Sequence, residues 1–245
     1  MSTSKDNKVI AHISEDGRGG GQLQYISDIL TDQSIRQVIL CPESINRYQS
    51  DWKKNNVKHI PIRLRSISMG LKNILLYLLF FVSDVIKLIC KFKQEQVNLV
   101  VCHSATQFKG IIAAHVSGLP KVWVMHDTYQ PKSVRIVFNL MCRMCNHYIY
   151  VSKRAAQYYT STFQPLSNNT SPIIPSGIDH QKFSPGAPSD LLSKTCVNIL
   201  TVCYINKWKG LELLIETAAE VYQRGYHNIR FNIVGPVINL SLIHI

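Results

Sequence analysis

At 245 residues, with 46% apolar and 17% charged positions, the chain suffices for one large domain or two small ones and is too apolar to be globally disordered. A formal charge of +12 favours anionic partners, whether nucleic acid, an acidic membrane face or a phosphorylated substrate. The odd count of seven cysteines, several of them inside apolar runs, and a polar start unlike a signal peptide point to a reducing, cytoplasmic setting.

Taken in order, the elements alternate. Residues 9–14 read as an apolar strand, followed by glycines and a helical run over 22–30. Strands are expected at 37–41, closed by Pro42, and at 57–62. A long helix covers about 67–92; its uninterrupted apolar core, 74–82, is short against the ~20 residues that span a bilayer, so a buried or membrane-surface helix is expected. Residues 97–102 form a strongly apolar strand, 107–117 a helix ended by Gly118 and Pro120, and 122–126 the next strand. A helix over 133–145 and a strand over 148–151 follow. Ser152 is placed to cap a helix over 153–159, and 172–175 reads as a last short strand. Cys142 and Cys145 form a C-x-x-C without a second pair at zinc spacing, which a helical face explains and which assigns no metal.

Residues 184–190 carry Pro185, Gly186 and Pro188 and read as a linker. The cycle then restarts with a strand at 197–202, a helix at 211–224 and a strand at 229–234. Apolar strands separated by helices indicate an α/β fold with a parallel sheet covered on both faces. The expected organisation is a Rossmann-like domain over 1–185 and the start of a second Rossmann-like domain over 186–245. One β-α-β unit is too little to bury both of its faces.

Four places carry chemistry. The glycines at 17 and 19–21 separate the first strand from its helix, where close-approaching amides and a helix N-terminus suit phosphate; Gly20 and Gly21 are the candidates. The spacing is not G-x-G-x-x-G, which speaks against a dinucleotide enzyme. His126 and Asp127 follow one core strand, and His103 with Ser104 follows the strand before it. Ligands of doubly wound sheets bind beyond such strand ends, and a histidine there can hydrogen-bond a sugar hydroxyl or exchange a proton near neutral pH. Ser176 and Gly177 precede the linker, Gly177 allowing an unusual backbone angle. Lys207 and Lys209 precede a helix N-terminus, a suitable place to pair with a diphosphate.

These stretches, in order, resemble the retaining glycosyltransferases of family four with the GT-B fold: Gly19-Gly20-Gly21-Gln22, Val97 through Ser104, Gly118 through Asp127, Tyr150 through Lys153, Ile174 through Asp179, and Lys209-Gly210 with Ile233-Val234-Gly235. The resemblance implies two Rossmann-like domains, the first taking an acceptor and the second a nucleotide-sugar donor as co-substrate, with no cofactor or metal. It further implies that His126 is catalytic and bonds the transferred sugar, that Gly20 and Gly21 meet the donor phosphate or the acceptor, that Lys209 binds the diphosphate, and that Gly235 lies near the nucleoside. Cys203-Tyr204 stands where the family has Gly-Arg; Lys207 is the candidate substitute. The Glu-x7-Glu segment that grips the donor in the family lies further along than this chain reaches, and 237–245 departs from the family pattern, so a truncated second domain is expected.

The expected function is retaining transfer of a sugar from a nucleotide-diphosphate donor to a saccharide or lipid-linked acceptor, at the cytoplasmic membrane face. Basic residues near the apolar helix, among them Arg63 and Arg65, suit an anionic membrane surface. The alternatives are a non-catalytic sugar- or partner-binding module, a sugar epimerase of similar fold and an oxidoreductase. Nucleic-acid binding rests on charge alone and is not expected.

Overall fold

The structure is a computed structural model of the chain and describes residues 8–15, 20–30, 34–43, 48–67, 70–128, 130–145, 147–167, 170–178, 180, 183–184, 196–206 and 209–236. It divides into two compact units, Met1–Ile178 and Asp179–Ile245. The first contains β1 (Val9–Ile13), α1 (Gly21–Ile29), β2 (Arg36–Cys41), α2 (Gln49–Lys54), β3 (Lys58–Pro61), α3 (Leu71–Gln94), β4 (Leu99–His103), α4 (Phe108–Val116), β5 (Lys121–Met125), α5 (Lys132–Met141), β6 (His147–Tyr150) and α6 (Lys153–Thr162). The second contains β7 (Val197–Val202), α7 (Leu211–Gln223) and β8 (Ile229–Val234).

The six strands of the first unit form one parallel sheet in the order β3-β2-β1-β4-β5-β6. The direction of strand progression reverses between β1 and β4, and the carboxyl ends of those two strands are where doubly wound folds bind ligands. Alternate residues of each strand serve opposite faces. Val9, Ala11, Ile13, Val100, Cys102, Trp123 and Met125 join the core beneath α3 to α6. Ile39 and Cys41 face α1 and α2, while Val101 and Val124 pack beneath Tyr25 of α1. Trp123, fully buried, packs against Phe108 and Phe138 and donates its indole N–H to the Ser104 carbonyl at 2.7 Å.

Local chemistry explains the boundaries. Ser152 Oγ accepts the Ala155 N–H at 3.0 Å and caps α6 as the sequence suggests. Gly118, at φ +66°, closes α4, its amide reaching the His115 carbonyl and that of Leu119 the Ala114 carbonyl. Gly110 lets α4 lie on the sheet: a Cβ there would come within 2.7 Å of Cys102 Sγ.

Three expectations change. Helix α2 is not foreseen; six residues with Trp52 as the buried one carry no readable period. The helix expected over 133–145 ends at Met141 and continues as a 3-10 turn at Cys142–Met144, which places both Cys142 and Cys145 in the core as separate thiols raised by burial. The strand expected at 172–175 shrinks to a single bridge between Ile173 and Tyr150. The linker expected at 184–190 lies, apart from Ser184, outside the described residues.

Helix α3 is long and apolar enough to cross a membrane by length and composition. It rests one face on the core through Tyr77, Val85, Leu88 and Phe92 and exposes another: Leu71, Leu75, Leu78, Leu79, Val82 and Ile86 are all more than half exposed. In the second unit β7 and β8 pair in parallel over six residues, and α7 buries none of its side chains.

Candidate functional site

The carboxyl ends of β1, β4 and β5 bring three imidazoles together on the α1 face of the first sheet. His12 Nδ1 lies 3.1 Å from His103 Nε2, and His103 Nδ1 lies 3.2 Å from His126 Nε2. His12 and His103 stack at 5.4 Å between centroids, while Tyr25 of α1 sits edge-on to His126 at 5.0 Å. His12 and His103 are buried; His126 is half-buried at the outer end. Burial pulls His12 and His126 down to about 4, and His103 well below its ordinary value, with the neighbouring histidines adding to the burial effect. The rings are therefore neutral near pH 7. Of the two roles expected for a histidine there, hydrogen bonding and proton exchange near neutrality, the lowered value favours the first, that of a neutral donor or acceptor.

The turn after His103 is held open by backbone geometry. Ser104 adopts φ 85°, rare for a residue with a side chain, and is pinned by its amide on the Val124 carbonyl, its hydroxyl on that of Thr106 and its carbonyl on Trp123. Helix α1 begins beside these strand ends with Gly20 as its cap residue and Gly21 as its first residue, and no side chain caps it. Ser14 Oγ donates to Gln22 Oε1 at 2.9 Å and ties the helix start to β1. Nothing lies within 4 Å of a Cβ built on Gly21, which leaves space beside the helix N-terminus. Asp127 follows His126 and is exposed.

Two groups that sequence reasoning missed lie near the same strand ends. The Glu15 carboxyl, just past β1, is raised to about 8 by burial, against a lowering pull from Lys109 and a further push from Asp84; its Oε1 has no partner among the described residues. Both side-chain amide atoms of Gln107, which precedes α4, are likewise enclosed without a partner among the described residues. A polar residue just past a buried strand is the signal that could have flagged both.

Ser176 and Gly177 are exposed, and among the described residues they make no hydrogen bond or ring contact with His103 or His126. Gly177 has no positive φ and open space where a Cβ would stand, so the expected need for glycine there is not met.

The second unit groups its own candidates at the carboxyl edge of β7 and β8. The Cys203 amide donates to the Val234 carbonyl at 3.0 Å and that of Ile205 to the Pro236 carbonyl at 2.9 Å. These bonds draw the end of β8 against the loop leaving β7. Gly235 sits there with no room for a side chain: an added Cβ would lie 1.8 Å from the Cys203 carbonyl oxygen. Lys209 is exposed one residue before Gly210, which caps α7 in the left-handed region at φ 65°. Lys207 lies outside the described residues. Among the described residues no group of three or more histidine, cysteine, aspartate or glutamate side chains is arranged to hold a metal ion.

The pattern of the family described as Glycosyltransferase Family 4 matches residues 22–182. No curated protein matches the chain. Among solved structures, HepE from Anabaena in complex with UDP and glucose is similar at a TM-score of 0.71 and 16% identity, over 94% of this chain and 61% of that one. A glycosyltransferase from Rickettsia africae is similar at 0.60 and 13%, over 94% and 69%. A putative UDP-N-acetylglucosamine 2-epimerase from Listeria monocytogenes is similar at 0.59 and 12%, over 96% and 64%. The chain thus spans about two thirds of the length of these structures, and at such identities the likeness is one of fold.

Proposed function

The chain belongs to glycosyltransferase family 4, and we propose on that premise that it takes part in moving a sugar from a nucleoside-diphosphate donor to a saccharide or lipid-linked acceptor, with retention and without a metal. The observation that carries the reading is the set of neutral imidazoles ending at His126, at the strand ends where the sheet order reverses. A half-buried neutral imidazole bonds a sugar hydroxyl without placing a full charge beside it. In this reading Gly20 and Gly21 offer amides to a phosphate or to the acceptor, and His103 and Asp127 shape the acceptor side. Lys209, at the head of α7, meets the diphosphate, and Gly235 keeps the β8 edge flat for the nucleoside. The test is release of nucleoside diphosphate from UDP-, GDP- and ADP-sugars with a saccharide acceptor. His126→Ala is expected to lower turnover by about a hundredfold while leaving the affinity for free UDP unchanged. Unaltered turnover in that variant moves the chemistry elsewhere.

A second reading, a nucleotide-sugar epimerase, is favoured by the likeness to the Listeria protein. An epimerase converts its nucleotide-sugar with no acceptor present, so nuclear magnetic resonance of the sugar products separates the two.

For the acceptor, the exposed row on α3 supports a lipid-linked molecule met at the cytoplasmic membrane face. Beside it a cavity of about 540 Å³ is lined by Arg63, Arg65, Ser66, Phe80, Asp84 and Lys87, with the Arg65 guanidinium 4.4 Å above the Phe80 ring. Lys109 and Lys87 neutralise Asp84, so the arginines set the sign of the cavity. Basic residues beside an anionic bilayer contribute about 1 kcal/mol each. Vesicles containing phosphatidylglycerol should therefore retain the chain at least tenfold more strongly than pure phosphatidylcholine, and added salt should erase the difference. Equal retention on both removes the electrostatic part of the reading.

A further inference from the structure

His12 lies one strand inward of the site, and nothing in the proposed transfer uses it. Its position nevertheless limits what His126 can do. A neutral imidazole has one N–H and one bare nitrogen, and every N···N contact needs one of each. The contacts at 3.1 and 3.2 Å leave His103, in the middle, to donate through one nitrogen and accept through the other. Only two proton arrangements satisfy both contacts. In one, all three N–H groups sit on Nδ1 and His126 presents a donor at its outer nitrogen. In the other, all three sit on Nε2 and His126 presents a bare Nδ1. Any mixed set sacrifices a buried hydrogen bond and leaves two lone pairs or two N–H groups facing each other, an arrangement that costs about 1–3 kcal/mol in an enclosed site.

The inner end closes the row. His12 Nε2 is enclosed and has no close hydrogen-bond partner among the described residues, so no titratable group continues the chain there. The row of rings is therefore a dead end for net proton movement; its function is orientation.

We propose that His12 and His103 are positioning residues that lock the tautomer of His126: the three rings carry their N–H on the same nitrogen, so that His126 presents one hydrogen-bonding character at its outer nitrogen, rather than a mixture, to a sugar hydroxyl. The role given to the outer nitrogen rests on the proposed transfer; the lock itself does not, and its test needs no ligand. The chain labelled with 15N-histidine reports the protonated nitrogen of each ring through long-range proton–nitrogen couplings, with resonances assigned by single substitutions. His12, His103 and His126 are each expected to carry one proton, all three on the same ring nitrogen, from pH 6.5 to 8. In His103→Leu the single tautomer of His126 should give way to a mixture of the two. Different tautomers among the three wild-type rings overturn the proposal whether or not the variants fold. An unchanged His126 tautomer in a folded His103→Leu variant overturns it as well. If the lock is found but His126→Ala turns over normally, the orientation stands and the proposed transfer site falls.

Discussion

Replacing Lys109 with methionine is expected to destabilise the Met1–Ile178 unit by about 3–5 kcal/mol. Lys109 is fully buried on α4, and its ammonium donates to Asp84 Oδ2 at 2.8 Å and to the Arg65 carbonyl, 4.3 Å from the centre of the Tyr77 ring. Asp84, on α3, is itself buried and also receives Lys87 and the Arg65 amide. The pair thus joins α3, α4 and the segment after β3 at one point. Methionine retains the length of the side chain and removes the charge, leaving Asp84, among the described residues, with the half-exposed Lys87 as its remaining ion-pair partner. The penalty comes from the abandoned carboxylate rather than from a strong net attraction, so Asp84→Asn combined with Lys109→Met should recover much of the loss. Urea unfolding of the two single variants and the double variant measures this coupling. A Lys109→Met chain within 1 kcal/mol of wild type would show that the pair does not hold these elements together.

Acidification from pH 6.5 to 4.5 is expected to cost the same unit on the order of 4 kcal/mol. The folded chain keeps His12 and His126 neutral down to about 4, and His103 lower still, whereas in the unfolded chain each binds a proton near 6.5. As pH falls through this window the unfolded state takes up to three protons that the folded state refuses, and stability drops. Glu15 works the other way: raised to about 8, it is protonated in the folded chain and ionised in the unfolded chain until about 4.5, so acid relieves its cost. The net difference is two protons in favour of unfolding. Asp84, held below its ordinary value by Lys109 and Lys87 against the effect of burial, extends the decline further into acid. Urea midpoints at pH 7, 6 and 5 should fall steadily; midpoints independent of pH would mean that water reaches the histidines.

The strands were the most legible part of the fold: the apolar runs of β1, β2, β4 and β5 report burial on both faces, and β7 and β8, although largely exposed, have the bounds that the sequence suggests. The helix ends written in Ser152 and Gly118 were equally readable, since each signal is a single bond or a single backbone angle. Short pieces were not: α2 and the bridge at Ile173 depend on tertiary contacts that no local pattern announces. For the site, the pairing of His103 with His126 could be read from their place after consecutive core strands. His12 could not, because it lies inside β1 where a histidine looks like an ordinary core residue, and its contact with His103 spans 91 positions. Glu15 escaped for a related reason: the charged groups that act on it, Lys109 and Asp84, stand on α4 and α3, far along the chain.

Of the seven cysteines, only Cys90 is exposed, four are buried and two are intermediate. Cys90 continues along α3 from Val82 and Ile86 at four-residue steps, so it stands on the same uncovered stripe. The thiols of Cys41, Cys102, Cys142 and Cys145 are pushed up by burial and react slowly. A maleimide fluorophore in limited amount should therefore couple first at Cys90 in the unaltered chain, where its emission colour would report whether that stripe faces water or lipid tails.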